Sequence, residues 1–188
     1  MYEMGDPAKR RAAYERLVAV PLHQVAEIIN GELIVNPRPA APHARAASVL
    51  GVQLGGPFDL GQGGPGGWII LDEPELHLDD DVLVPDLAGW RRSRMPATPA
   101  VAAFELAPDW ICEVLSPSTR AVDVDDKLPI YAREKIGHVW FIDPLARVLE
   151  ILRLDGDTFR VTATGRDGAK LYAEPFDAIE LALGPLWT

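Results

Sequence analysis

Between Val84 and Tyr131 the chain reads VPDLAGW, then WICEVLSPST, then VDVDDKLPIY, so Asp86, Glu113 and Lys127 stand beside short apolar runs. Two carboxylates and a lysine framed in this way are the components of a metal-dependent active site. The runs VLVPDL and WICEVL are rich in Val, Ile and Leu, the pattern of strands covered on both faces. An ionised carboxylate in such a place needs a partner, because a charge cut off from water is costly unless it is paired. Two carboxylates about 4 Å apart repel by roughly 4 kcal/mol at an effective dielectric near 20. Mg²⁺ or Mn²⁺ removes that repulsion and suits an all-oxygen donor set. Such an ion can supply hydroxide and stabilise the extra charge of a phosphodiester under attack. Lys127 serves as a general base only if its pKa falls from about 10.4 to about 7, at a cost near 4 kcal/mol. A charged lysine that holds the phosphate and the attacking water is the less demanding role.

The three residues are far apart along the chain and meet only if the two strands are neighbours and a helix packs over their ends. An α/β sandwich supplies that geometry. Residues 8 to 30 alternate charged and apolar side chains at helical spacing, with Pro21 starting a second short helix that turns Val25, Ile28 and Ile29 inward. Asn30-Gly31 then turns into the strand ELIVN. PRPAAP is a stiff link, and His43 to Leu54 reads as a helix with Ala47, Leu50 and Leu54 on one face, ended by Gly55 and Gly56. GQGGPGG lacks the GK[ST] ending of a phosphate loop and is a flexible connection. Strands are expected over 68 to 78, 81 to 87 and 109 to 115, a Pro-rich loop at MPATPAVA, and a helix over 126 to 135. HVWFIDP, RVLEILRL and TFRVTATG, separated by Asp143-Pro144 and Asp155-Gly156, predict a C-terminal antiparallel meander. EPFDAIELALGPLW reads as a closing strand or short helix.

Composition bounds the rest. The 188 residues fit one domain, 1–188, and 48% hydrophobic with 24% charged residues is ordinary for a globular chain. Lys plus Arg is 18 and Asp plus Glu is 28, a formal charge of -10, which argues against a non-specific coat for nucleic acid. The single cysteine, Cys112, lies in an apolar run and reads as core, in keeping with a cytoplasmic setting. No apolar stretch approaches the roughly 20 residues of a membrane span, so neither membrane insertion nor secretion is expected.

Each candidate also has a structural reading. Asp86 serves as a loop cap, Glu113 as an arginine partner, and Lys127 as half of a surface pair with Asp123 worth only about 0.3 to 0.5 kcal/mol. His43 packs at a helix start, and Glu27 is solvated at the end of a helix. Asp72, Glu73, Glu75 and the run Asp79 to Asp81 line a solvated turn, with Glu75 a spare ligand. Trp110 and Trp140 read as core. Arg91, Arg92 and Arg94 form either a solvated loop or a contact to phosphates near the site. SPST has no histidine in a recognisable partner motif, which argues against a nucleophilic serine.

Four stretches, VPDLAGW, CEVLSPST, the Asp123/Lys127/Tyr131 spacing and HVWFIDP, resemble the Uma-type restriction-endonuclease-like family of bacterial proteins. The resemblance runs from about Glu27 through Glu150. It implies a member of the PD-(D/E)xK nuclease superfamily, with a mixed central sheet flanked by helices. Pro85-Asp86 matches the first motif pair and Glu113 the second. Position 115, where that pattern has its lysine, is Leu115, and the resemblance implies that Lys127 on the following helix takes its place. The long flexible lysine stem makes such a replacement feasible. By the same resemblance Glu27 completes the metal shell, His43 neighbours the site, and a homodimer is expected. The function so implied is a Mg²⁺- or Mn²⁺-dependent endonuclease acting on DNA, with Asp86 and Glu113 on the metal and Lys127 and Glu27 assisting. Two further readings use the same residues: a catalytically silent nuclease fold that binds nucleic acid or protein, and a hydrolase of small phosphoesters.

Overall fold

The computed structural model of the protein describes residues 7–21 and 23–188. A helix, α1 (Pro7–Val18), precedes a hairpin of β1 (Gln24–Ile29) and β2 (Glu32–Pro37). Next comes α2 (Ala41–Leu54), prolonged by a π-helical turn over Gly55–Asp59. Four strands follow, β3 (Trp68–Asp72), β4 (Leu76–Leu78), β5 (Asp81–Leu83) and β6 (Leu87–Arg91), and then β7 (Trp110–Val114). A second π-helical turn, Val122–Lys127, runs into α3 (Leu128–Arg133). The chain continues with β8 (His138–Asp143), β9 (Val148–Asp155) and β10 (Thr158–Arg166), and closes with a small pair, β11 (Lys170–Leu171) and β12 (Leu181–Ala182).

Six strands form the main sheet in the order β10-β9-β8-β7-β6-β3. Only β7 and β8 run parallel, so the sheet is mixed, and β8-β9-β10 is the expected antiparallel meander. Along β7 the side chains alternate between two cores, as the period of two requires. Trp110, Cys112 and Val114 join α2 and the C-terminal segment, whereas Ile111 and Leu115 join α3 and the smaller sheet. Glu113 shares the register of the second set. All five residues of β7 are buried, which accounts for a run of apolar residues in place of alternation. The architecture is thus an α/β sandwich with α2 over one face and α3 over the other.

The second sheet, β2-β1-β5-β4, corrects the expected helix after Pro21. Residues 24–29 form a strand paired with β2 from Gln24↔Pro37 to Ile29↔Glu32. Asn30 and Gly31 both adopt positive φ, 52° and 81°, the conformation a two-residue hairpin turn requires. Ile28 packs with Leu17 and Val82, and Ile29 enters the other core, so β1 is covered on both faces. Glu27 therefore lies within a buried strand, at 2% exposure, and not at a solvated helix end.

Two further strand boundaries and the placement of Asp81 differ from the sequence expectation. The stretch 68 to 78 is two strands in different sheets, broken at Glu73 (φ 44°) and Pro74. The stretch 81 to 87 divides likewise, and Asp86 sits in the gap between β5 and β6. Asp81, expected in a solvated turn, is buried because it accepts the Asn30 N–H at 2.7 Å and pairs with Arg133 at 3.0 Å. It ties the hairpin to α3. Near the other face, Phe176 from the C-terminal segment packs its ring 4.7 to 5.7 Å from Phe58, Trp68, Trp110 and Trp140. Phe176→Ala should lower stability by about 3 to 5 kcal/mol in denaturant unfolding, the range for an aromatic deleted from a packed core.

Candidate active site

Lys127 carries its ammonium into the protein at 3% exposure. Three carboxylates surround it: Glu27 Oε1 at 2.9 Å, Asp123 Oδ1 at 3.1 Å and Glu113 Oε1 at 3.3 Å. They come from β1, from the π-helical turn and from β7. All three carboxylate residues are buried, so the pair with Asp123, whose alternative reading was a surface pair, is an interior one. Burial alone pulls the ammonium pKa down, but Glu113, Glu27 and Asp123 outweigh it and hold Lys127 well above its ordinary range. Lys127 is thus a permanent cation, unsuited to act as a general base.

The local chain explains how these groups converge. Ser116 starts the turn after β7: its carbonyl accepts the Arg120 N–H at 3.0 Å and its hydroxyl accepts the Thr119 N–H at 3.2 Å. The Ser116 hydroxyl also meets the hydroxyls of Ser118 and Thr119, both at 3.0 Å, within the same turn. The helical segment then widens into the π turn, an irregularity that recurs at functional sites. Asp123, Lys127 and Tyr131 follow at a spacing of four, which sets them on one face. Tyr131 is fully buried, and its hydroxyl donates to Glu113 Oε1 at 2.5 Å.

Asp86 is held from the opposite side. Its Oδ2 accepts the Val114 N–H at 2.7 Å, and its Oδ1 lies 3.3 Å from His43 Nε2. Val84 N–H reaches Glu27 Oε1 at 2.9 Å. The segment 84–86 between β5 and β6 is therefore clamped to both acids' strands. Burial lowers the His43 pKa, but the contact with Asp86 more than offsets this and raises it above the ordinary value. The Val114 backbone and Asp123 add to the rise, and among the described residues the buried Nδ1 has no hydrogen-bond partner of ordinary geometry.

Glu27, His43, Asp86, Glu113, Asp123 and Lys127 all line one cavity of about 290 Å³. A larger cleft, about 700 Å³, adjoins it across Pro39, His43, Glu73 and Asp86. Burial first of all, then Asp123, Asp86 and Glu27, push the Glu113 carboxyl well above its ordinary range in spite of Lys127. Among the described residues no three His, Cys, Asp or Glu side chains form a ready-made metal cluster. A pair of carboxylates with water is nonetheless the usual protein contribution to a Mg²⁺ site. The all-oxygen donor set of Asp86 and Glu113 fits that ion or Mn²⁺.

The structure thus brings Asp86, Glu113, Lys127, Glu27 and His43 to one cavity. It adds Asp123 and Tyr131, which the sequence reading left outside the site, although the repeat of four from Asp123 through Lys127 to Tyr131 was a signal for them. Glu75 lies elsewhere, bound to His77 at 2.7 Å and Tyr14 at 3.1 Å. Arg91, Arg92 and Arg94, read either as a solvated loop or as a contact to phosphates, are engaged locally: Arg91 over Trp68, Arg92 with Asp59 and Arg94 with Asp109.

A mixed sheet with helices on both faces, bearing this cage of acids around a lysine, defines an α/β protein with a restriction-endonuclease-like fold. The crystal structure of "a putative nuclease belonging to DUF820" from Anabaena variabilis ATCC 29413 shares it, with a TM-score of 0.72 and 22% identity over 93% of this chain and 96% of that one. The chain belongs to the Uma2 family, described as "Putative restriction endonuclease", which matches residues 12–184. No curated protein matches the chain.

Two stability measurements test the cage. Lys127→Met strands three buried carboxylates and should cost about 3 to 5 kcal/mol in denaturant unfolding. For Glu113 the folded state binds the proton more tightly than the unfolded chain. Its contribution to stability is therefore complete below the ordinary value of 4.5 and is lost as pH rises through the raised folded value. Glu113→Gln abolishes that loss and keeps an acceptor for Tyr131. In EDTA its melting temperature should exceed that of the wild type by a margin that widens as pH rises above 4.5.

Proposed function

We propose that the protein is a Mg²⁺- or Mn²⁺-dependent nuclease that hydrolyses DNA phosphodiester bonds in the cavity lined by Asp86, Glu113 and Lys127. The observation that carries this reading is the buried ammonium of Lys127, held among Glu27, Glu113 and Asp123 beside Asp86. Family membership supports it.

Asp86 and Glu113 would hold the cation, which when bound would offset the excess negative charge and polarise a phosphoryl oxygen. The chain's own groups do the positioning. Val114 N–H and His43 fix Asp86, and the Tyr131 hydroxyl fixes Glu113. Lys127, charged at every pH of interest, stabilises negative charge that develops on the phosphate and orients the attacking water without accepting its proton. Glu27 holds Lys127 in place. The adjoining cleft extends the surface well beyond one phosphate group, which favours a polymeric substrate over a small phosphoester.

One observation favours a second reading, a binding module without catalysis. The five acids that line the cavity, Glu27, Glu73, Asp86, Glu113 and Asp123, outnumber its basic side chains Arg38, His43 and Lys127, and the chain carries -10 overall. Cleavage of plasmid and single-stranded DNA with Mg²⁺ or Mn²⁺ separates the two. Asp86→Asn preserves an acceptor for Val114 N–H and Glu113→Gln one for Tyr131. Each should fold and lose about 100-fold or more in rate, the scale of a lost transition-state contact. A wild type that cleaves no nucleic acid while binding a partner leaves only the binding module.

A further inference from the structure

Among the described residues, the basic side chains that line the cavity are Arg38, His43 and Lys127. Two of them are committed to acids inside it: Lys127 is buried among three carboxylates, and His43 rests on Asp86. Arg38 differs from both. Its side chain is 52% exposed and pairs with that of Glu73, 41% exposed, through Nη1 and Oε2 at 2.9 Å. Glu73 lines the cavity and the adjoining cleft alike, so the pair stands where the two meet.

Backbone chemistry anchors both partners there. Arg38 follows β2 between Pro37 and Pro39, and a proline restricts the residue before it to extended conformations. The arginine is thus aimed before any ligand arrives. Glu73 sits at the break between β3 and β4 with φ 44°, a conformation uncommon outside glycine. Its N–H donates to the Asp86 carbonyl at 3.1 Å, which ties this turn to the site. An ion pair so exposed contributes little to stability, so little is lost when its side chains part. A phosphate in place of Glu73 offers the guanidinium two parallel charge-assisted hydrogen bonds.

We propose that Arg38 binds a phosphate of the nucleic-acid strand at the mouth of the cavity, and that Glu73 holds the guanidinium in reserve until the strand displaces it. The inference rests on the nuclease reading given above and names the residue that takes hold of the substrate. Lys127, being buried, serves the phosphate under attack. Arg38, at the exposed rim, serves a phosphate farther along the strand. The acid therefore acts against binding, and the two substitutions have opposite signs.

Fluorescence anisotropy of a labelled oligothymidylate with the full chain in EDTA, over a range of salt concentrations, tests this. Arg38→Ala should weaken binding about tenfold or more, the scale of a lost charged hydrogen bond. The slope of log affinity against log salt should fall in magnitude by about 0.7, the share of one phosphate contact on a single strand. Glu73→Gln should tighten binding by up to about fivefold, the equilibrium worth of an exposed ion pair. Most of that gain should vanish in the Arg38→Ala background, whereas relief of general negative charge would be equal in both. Thermal melting checks each fold, and Arg38→Gln replaces Arg38→Ala if the latter does not fold. Where the wild type binds too weakly in EDTA, KM for cleavage with Mg²⁺ reads the same changes. An unchanged affinity or slope in the Arg38 variant overturns its role even where the wild type cleaves DNA, and an equal gain in both backgrounds overturns that of Glu73. A wild type that neither binds nor cleaves nucleic acid overturns this inference together with the nuclease reading beneath it.

Discussion

The arrangement of the whole site depends on the burial of one ammonium. Removing Lys127 from water carries a desolvation penalty of several kcal/mol, which only well-placed opposite charges can offset. Glu27, Glu113 and Asp123 supply them from β1, β7 and the π-helical turn, elements that one apolar core also draws together. The requirement is mutual. Without the ammonium three buried carboxylates would face one another, and without the carboxylates the ammonium could not stay inside.

This constraint explains features that a purely apolar core would not need. The π turn places Asp123 and Lys127 over the end of β7. The hairpin strand β1 carries Glu27 under the segment between β5 and β6, and Val84 and Val114 donate their N–H groups to Glu27 and Asp86 in turn. Each backbone donor thus fixes an acid on a neighbouring element, so the cavity is built from cross-links and not from any one loop. The apolar sandwich supplies the rigidity behind it, through the cluster around Phe176 on one face and the core around Tyr131 on the other.

The charge balance also indicates how the site is poised. Burial is the first cause of the raised pKa of Glu113, and the charges of Asp123, Asp86 and Glu27 add to it against the opposing pull of Lys127. A group under such tension gains from a proton or a cation. A core selected only for stability would have little use for it, whereas the proposed reaction needs it. The tension between stability and chemistry is localised in a few side chains while the surrounding sheet remains apolar and well packed.

Much of this was legible along the chain. The apolar runs of β7, β8 and β9 and the Asp-Pro and Asp-Gly breaks marked the strands and the meander, because strand periodicity and turn chemistry are local properties. VPDLAGW and CEVLSPST marked Asp86 and Glu113, since a carboxylate inside an apolar run stands out against its neighbours. Residues 24–29 were not legible in the same way. Val25, Ile28 and Ile29 satisfy a helical spacing, and only pairing with β2 and β5 buries both faces of that segment and makes it a strand. Whether Asp123 and Lys127 form a surface pair or an interior one was equally undecided by their spacing. That question was settled when tertiary packing excluded water around them, since the strength of an ion pair depends on the medium, and the medium is a property of the fold.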